Sequence, residues 1–484
     1  MAAPSLEDLA QAATTATGPA LVSASLPKPG GVDPLGLRQI NFDMMDQLLP
    51  GLNNVARHIR PFVVVAWAWW RASEIAKEKN INPLPVKDAL DFVDRVEVIY
   101  AWSQFMTRNG VDLPGSDVLR PLIEAEEWTF GGPDWAKRRE TRKYSTAFTA
   151  ALNYGPGLKM LHWVAPHPEM SDVLIPTLGA MPAVAAFDAQ LSSWKNHPVF
   201  SEFGTVTISH DEVVELAEVW PIDQPTEGEK QVARSLIFQT EQEPNEQSTA
   251  YARRNGGALV LAAASSLGSS NTDEVRREMG RLTANALAGT RDKWRELQMR
   301  QLFRFCMESL LYWTLAQLED GPMQTRALVD RFLDETTGSS AGSAKKWLGP
   351  EGALGQEPTD LISSARDALT TDYLEPLPEA IRAGIALSLA EAQTEEQPYE
   401  RTDRLPLLRA RKDYDGFADR PVGEFIAHII EDWLLAQHTY WSVGRGMSDA
   451  RAGGKRLLRL RIVLDEGGWT LAPGATRGNV PQPT

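Results

Sequence analysis

The chain has 484 residues, 43% of them hydrophobic, with fifteen Trp, one Cys and a formal charge of −15. Acidity on that scale excludes a surface built globally to attract phosphate, so any nucleic-acid contact must come from local basic patches. The single Cys306 excludes an intrachain disulfide and a thiolate zinc cluster.

Residues 1–34 are rich in Ala, Ser, Thr, Pro and Gly and show no sustained period, which reads as a flexible arm with one short helix, Ser5 to Ala13. The arm lacks the basic start and continuous apolar core of a secretory signal. The run Phe62 to Trp70 falls well short of the ~20 residues that span a bilayer. Both features suggest a soluble, cytoplasmic, bacterial protein that makes no membrane contact.

Ile40, Met44, Met45, Leu48 and Leu49 recur at helical spacing, so Leu37 to Leu49 is predicted to be an amphipathic helix ended by Pro50-Gly51. Asn53 or Asn54 is placed to cap a second helix. Pro61 has no amide hydrogen and pushes Arg60 away from helical angles, so that helix kinks or restarts there. From Phe62 to Trp70 every face is apolar, which predicts burial on all sides and makes Trp67, Trp69 and Trp70 core residues rather than a stacking platform. Lys77, Lys79, Asn80 and Pro83 mark its end.

Further helices are predicted at 84–108, Asp134 to Asn153, Met181 to Trp194, Glu227 to Phe238 and Ala250 to Leu267, with one capped by Asn271. The prolines of 154–210 leave little room there for long elements. GTVTISHDEVVELAEVW reads as a strand and then a helix, with Ser209 and Glu212 at capping-box spacing. A long helix runs from a Thr290 cap to about Leu318. Cys306 lies on its buried face and Arg304 and Glu308 pair on its wet side. The Gly/Ser-rich stretch 336–360 is the clearest domain boundary. Helices follow near 359–370, 377–393 and 421–445. In KRLLRLRIVLDEGGWTL, alternating residues, an Asp-Glu-Gly-Gly turn and Trp469 to Leu471 predict a β-hairpin.

The expected fold is mainly α: a multi-helix body with a small C-terminal winged-helix-like α/β module. The expected partition is an arm 1–34, a helical body 35–335, a linker 336–360, a module 361–474 and a disordered tail 475–484.

The common phosphate-loop, dinucleotide, zinc-protease and α/β-hydrolase motifs are absent from the sequence. No metal and no cofactor is implied. His162 and His167, with Glu169, read as a surface turn. His428 and His438 lie about 80° out of phase on one helix, so they do not converge, and His428 reads as a satisfied, partly buried side chain. Two polar sets remain. Arg57, His58 and Arg60 precede a restarted helix, where free amides favour an anion or a partner; the alternative is that they pair with Asp43 or Asp46 and fasten the first two helices. At the other end, Arg445, Arg451, Lys455, Arg456, Arg459 and Arg461 form a basic patch opposed only by Asp449. A helix followed by an Arg-bearing wing would offer Arg459 and Arg461 to double-stranded DNA or to a protein partner. The basic helix Lys137 to Lys143 is a weaker candidate for the same footprint.

The stretch LGLRQINFDMMDQLLPGLNNVARHIRPFVVVAWAWW resembles an uncharacterised bacterial family of helical proteins encoded near phage-defence genes. Leu35-Gly36, Leu49-Pro50-Gly51, Arg57 or Arg60, and Trp67 carry that resemblance, which covers roughly a tenth of the chain. The family has no established catalytic residues to carry over. The resemblance implies a multi-gene antiviral setting. The functional expectation is a non-enzymatic scaffold or adaptor subunit of a bacterial anti-phage complex. It would take protein partners from neighbouring genes and contact DNA through the C-terminal hairpin. The alternative is an enzyme or effector with a site near Arg57, His58 and Arg60.

Overall fold

The computed structural model describes residues 33–52, 56–107, 113, 125–132, 135, 154–170, 172–239, 248–268, 271–283, 285–336, 342–392, 404–451, 460–479 and 483. It is mainly helical, with three two-stranded antiparallel sheets among those residues. Two compact units divide the chain. A contiguous unit spans Asp46–Gly257, and a composite unit joins Met1–Met45 to Ala258–Thr484.

The described chain opens with α1 (Arg38–Leu48), whose Ile40, Met44 and Leu48 are buried as their spacing requires. Pro50-Gly51 then turns the chain. Gly51 has φ of 77°, and a Cβ there would lie 2.9 Å from Met160 Cβ, so both backbone angle and space call for glycine.

The contiguous unit is organised around α2 (Arg60–Glu78) and α3 (Val86–Thr107). Pro61 sits in the first turn of α2, where its missing amide hydrogen costs nothing. Residues 56–59 before it are not helical, so α2 starts here rather than restarting a helix capped by Asn53 or Asn54, and Arg60 is its first residue instead of being pushed out of it. Phe62 to Trp69 are all buried, and Trp67 and Phe62 anchor the core cluster. Trp67 meets Phe187 and Phe200 edge-on at 5.7 and 5.5 Å, and its indole N–H donates to Asp188. α2 ends in a Schellman motif: Asn80 is left-handed at φ 53°, its N–H reaches Lys77 O, and Ile81 N–H reaches Ala76 O.

Around these helices lie β1 (Glu127–Phe130), α4 (Gly155–Met160), β2 (Val164–Pro166), β3 (Leu174–Pro176), α5 (Met181–Gln190) and α6 (Pro198–Ser201). β4 (Val206–Ser209), α7 (His210–Val219) and α8 (Glu227–Phe238) complete the unit, before α9 (Thr249–Leu267). β2 pairs with β3, and β1 pairs with β4 so that Glu127 faces Ser209 and Phe130 faces Val206. The capping box at Ser209 and Glu212 is formed with both reciprocal bonds.

The composite unit continues with α10 (Thr272–Met279), capped by Asn271, and α11 (Ala288–Gln317). α11 starts at Ala288 with Leu287 as its N-cap, three residues before the expected Thr290 cap, and Glu308 on it is buried rather than wet. Then come α12 (Thr325–Asp334), α13 (Ala344–Leu348), α14 (Pro350–Ala353), α15 (Pro358–Thr371), α16 (Leu377–Glu391) and α17 (Leu407–Phe417). α18 (Val422–His428) passes through a π-helical segment (Ile429–Ala436) into α19 (Gln437–Arg451), and β5 (Ile462–Asp465) pairs with β6 (Gly468–Leu471). α11 and α16 pack so closely that a Cβ on Gly384 would stand 2.3 Å from Cys306 Sγ.

Three expected boundaries differ from this picture. Much of 336–360 is inside the composite core, because Ala344, Trp347 and Leu348 are buried and their apolar area outweighs the surrounding glycines. The body expected at 35–335 is divided at 45/46 and 257/258, with the intervening stretch forming its own core. In the expected tail, Arg477–Asn479 is a single 3₁₀ turn, and Arg477 pairs with Asp372 at 3.0 Å. The helix expected at Ser5 to Ala13 lies outside the described residues, as does all but Trp135 of the basic helix expected from Asp134.

Candidate functional site

The two polar sets singled out by sequence have different surroundings. In the contiguous unit, Arg60 is fully buried at the start of α2. Its guanidinium donates to Glu229 Oε2 at 2.8 Å, to Gln190 Oε1 at 3.1 Å and to Gln224 O at 2.8 Å, and it lies over the Phe187 ring at 5.5 Å. Its carboxylate partner is therefore Glu229, far along the chain, rather than Asp43 or Asp46. Glu229 is also the N3 residue of a capping box, accepting from the Thr226 amide at the head of α8. One buried carboxylate thus closes a helix N-terminus and neutralises a guanidinium.

Arg57 is exposed and His58 half-buried, whereas Arg60 is fully buried. Backbone groups of His58 and Arg57 hydrogen-bond the Tyr154 phenol, whose pKa burial pushes up to about 12. A third arginine, Arg253, donates to Ile237 O at 2.7 Å and to Pro50 O at 3.1 Å. The Pro-Gly turn is thereby tied to α8 and α9.

In the composite unit the expected hairpin is present. Asp465 Oδ1 accepts from Gly467 N–H and shapes its turn, and Gly468 takes φ of 117°. Trp469 exchanges both backbone hydrogen bonds with Met323, at 2.9 and 2.8 Å, and its indole donates to Thr325 Oγ1. Leu464, Asp465 and Glu466 are exposed at the tip. Arg461 is 1% exposed, which overturns its expected place on an open wing face: it lies immediately before β5, and both it and Ile462 are buried at the base of the hairpin. Lys455, Arg456 and Arg459 lie outside the described residues, and of Arg445 and Arg451 only the placement on α19 is described.

His438 is fully buried beneath this hairpin. Nδ1–H donates to Pro34 O at 2.9 Å, and Nε2 accepts from Arg461 N–H at 2.9 Å. That pairing requires the neutral ring, and burial holds the imidazole pKa down at about 4, with Pro34 opposing and Arg461 adding to the shift. Gln437 donates to Leu35 O and Trp441 to Asp33 O, so α19 carries three successive ties to residues 33–35. Gly36 follows at φ 73°, and a Cβ there would sit 2.5 Å from the Trp441 ring. Arg38 then forms a two-pronged pair with Glu308 at 3.0 and 3.2 Å. Burial and the neighbouring Glu308 raise the Asp33 carboxyl pKa.

The remaining candidates are also internally engaged. His428 Nε2 lies 3.2 Å from Asp413 and Nδ1 2.7 Å from Asp432, with the ring stacked on Phe417 at 4.8 Å. The Cys306 thiol is buried, and burial raises its pKa far above the ordinary thiol range. His162 and His167 lie at the two ends of β2, and His167 Nδ1 accepts from Glu169 N–H at 3.1 Å. Among the described residues no group of three or more His, Cys, Asp or Glu side chains could hold a metal ion, and no helix is long and apolar enough to cross a membrane.

Sequence reasoning missed Glu229 as the partner of Arg60. Its local signal, Thr226-x-x-Glu229, was readable as a capping box. It also missed α17 and both β1 and the β2–β3 pair. No family model, curated protein or solved structure matches this chain.

Proposed function

We propose that this chain is a non-enzymatic scaffold or adaptor subunit of a bacterial multi-protein anti-phage system. One observation carries the reading: Arg60, Arg461, His428, His438 and Cys306, the described residues most suited to chemistry, are engaged in packing and internal hydrogen bonds. A body held by such ties presents fixed surfaces to partners rather than a reactive centre. The positions carrying the family resemblance fit the same role, since Gly36 and Gly51 admit close neighbours and Trp67 fills a core. A winged-helix-like contact with duplex DNA, in this reading, rests on Arg445, Arg451, Lys455, Arg456 and Arg459, with Arg461 removed from the set.

Co-expression with the products of the adjoining genes tests the adaptor reading. The chain is expected to enter a stable complex; a chain that stays monomeric and joins none of them sinks it. For the DNA part, duplex affinity is measured against salt with Arg456→Ala and Arg459→Ala. Each lost phosphate contact lowers the salt slope by about 1, and an unchanged slope removes the claim.

A further inference from the structure

His438 joins two segments through one ring. Its Nδ1 side holds Pro34 O, in the stretch that leads into α1, and its Nε2 side holds the Arg461 amide just before β5. A carbonyl oxygen can only accept and a backbone amide can only donate, so these partners fix the neutral Nδ1–H tautomer. The two ties respond differently to a second proton. Nδ1–H keeps its carbonyl, and the added charge strengthens that bond. Nε2 loses its lone pair, and two N–H groups then face each other across 2.9 Å.

The two segments also differ in what else holds them. Residues 33–38 keep Gln437 on Leu35 O, Trp441 on Asp33 O, the two-pronged Arg38–Glu308 pair and the buried side chains of Leu35 and Leu37. Arg461 O accepts from Ala472 N–H, a bond within the base of the hairpin that moves with it. The bonds from the hairpin to Met323, Gln324 and Thr325 gather at its turn end, on Gly467 and Trp469.

We propose that His438 is a proton-operated latch: protonation releases the base of the β5–β6 hairpin from α19 and leaves residues 33–38 seated. The hairpin then pivots about the Trp469–Met323 pair, and the device is independent of the adaptor reading. The charged groups around the ring favour this order. Arg461, buried beside it, opposes a second positive charge. On the side of residues 33–38 the charges answer one another. Glu308 lies 3.0 Å from Arg38 and 3.8 Å from Arg304, and the Asp33 carboxylate accepts from the Leu37 and Arg38 amides. On the side of α19, Arg404 lies over the Trp441 ring at 4.8 Å, while Gln437 and Ser442 are uncharged, with Ser442 Oγ 3.4 Å from Nδ1. Burial withholds the proton until about pH 4, so the latch is closed at neutrality.

The test uses the full chain and three readouts between neutrality and about pH 4. Histidine-selective ¹⁵N labelling follows protonation of the His438 ring. Hydrogen–deuterium exchange, corrected for its intrinsic pH dependence, follows residues 460–465. The Trp441 indole N–H, which donates to Asp33 O, reports on residues 33–38. It is preferred to the Leu37 and Arg38 amides, which lean on the titratable Asp33 carboxylate. Exchange at 460–465 should rise about tenfold, the loss of one buried hydrogen bond, with the midpoint of the ring titration, while the Trp441 signal stays in place. In His438→Gln a side-chain carbonyl accepts from Arg461 N–H at any pH, so the acid response at 460–465 should vanish. A response that persists in that variant overturns the latch. So does a Trp441 signal that shifts together with 460–465, or a ring that titrates without any change there. Where His438→Gln fails to fold, the two wild-type midpoints decide: coincidence supports the latch and separation overturns it.

Discussion

Arg60 in the contiguous unit and His438 in the composite unit are both completely buried polar hubs, and each ties stretches of chain that are remote in sequence. They do so in opposite electrical states. Arg60 keeps its charge and is matched by the buried carboxylate of Glu229, with two further acceptors on Gln190 and Gln224. His438 gives up its charge and holds Pro34 O and Arg461 N–H through the two nitrogens of a neutral ring. The difference follows from chemistry: a guanidinium is protonated at any physiological pH and must be compensated, while an imidazole can shed its proton when water is withdrawn. The two hubs should therefore fail under different insults.

The largest expected effect comes from breaking the charged hub on one side. Glu229→Ala leaves a guanidinium buried without its counter-ion and should cost about 3–5 kcal/mol, read as a fall in the urea midpoint of the contiguous unit. Replacing both Arg60 and Glu229 by Met should recover most of that loss; a double variant no better than the single one would mean that the charges are not the reason for the damage.

The neutral hub is expected to break with acid. The folded-state pKa of His438 is held at about 4, below the ordinary 6.5, so between those values the unfolded chain binds a proton that the folded chain refuses. The contribution is fully present above pH 6.5 and is lost as pH falls toward 4. It amounts to roughly 3 kcal/mol over that window. Urea titrations at a series of pH values measure the slope, and His438→Gln should lower stability near neutrality while flattening it. A slope that survives the substitution would assign the acid sensitivity to other groups.

A half-buried tie completes the series from the mild end. Ser209 and Glu212 close the N-terminus of α7 at the surface, where water competes for both. Ser209→Ala should cost only about 1 kcal/mol, seen as a small drop in thermal midpoint. A loss as large as that of Glu229→Ala would erase the distinction between buried and solvated ties.

Local features were legible wherever short-range physics decides. The extent of α1, the proline in the first turn of α2, the all-round burial from Phe62, the Ser209–Glu212 capping box and Asn271 cap, and the C-terminal hairpin turn all follow from periodicity, missing amide hydrogens and side-chain acceptors close in sequence. The candidate site was legible in residue type but not in role. Arg60 and Arg461 are arginines in a basic context by sequence, yet both are buried, because their positions face cores assembled from distant segments. The short strands β1, β2 and β3 escaped notice since three or four residues carry no resolvable period, and their pairing joins Glu127 to Ser209 or Val164 to Pro176 through contacts absent from any local window.

By itself, the sequence determined a mainly helical chain, the positions of most of its long helices, a buried Cys306 and a C-terminal hairpin. Hydrophobic spacing and backbone chemistry act within a few residues and are written directly into the order of side chains. Tertiary structure alone decided that the chain divides at 45/46 and 257/258, that Trp347 draws an apparent linker into a core, and that Glu229 answers Arg60. It also decided that His438 bonds both Pro34 and Arg461. These outcomes depend on which apolar faces meet and how much water they exclude, and desolvation of a given side chain is a property of the packed whole rather than of its neighbours in sequence.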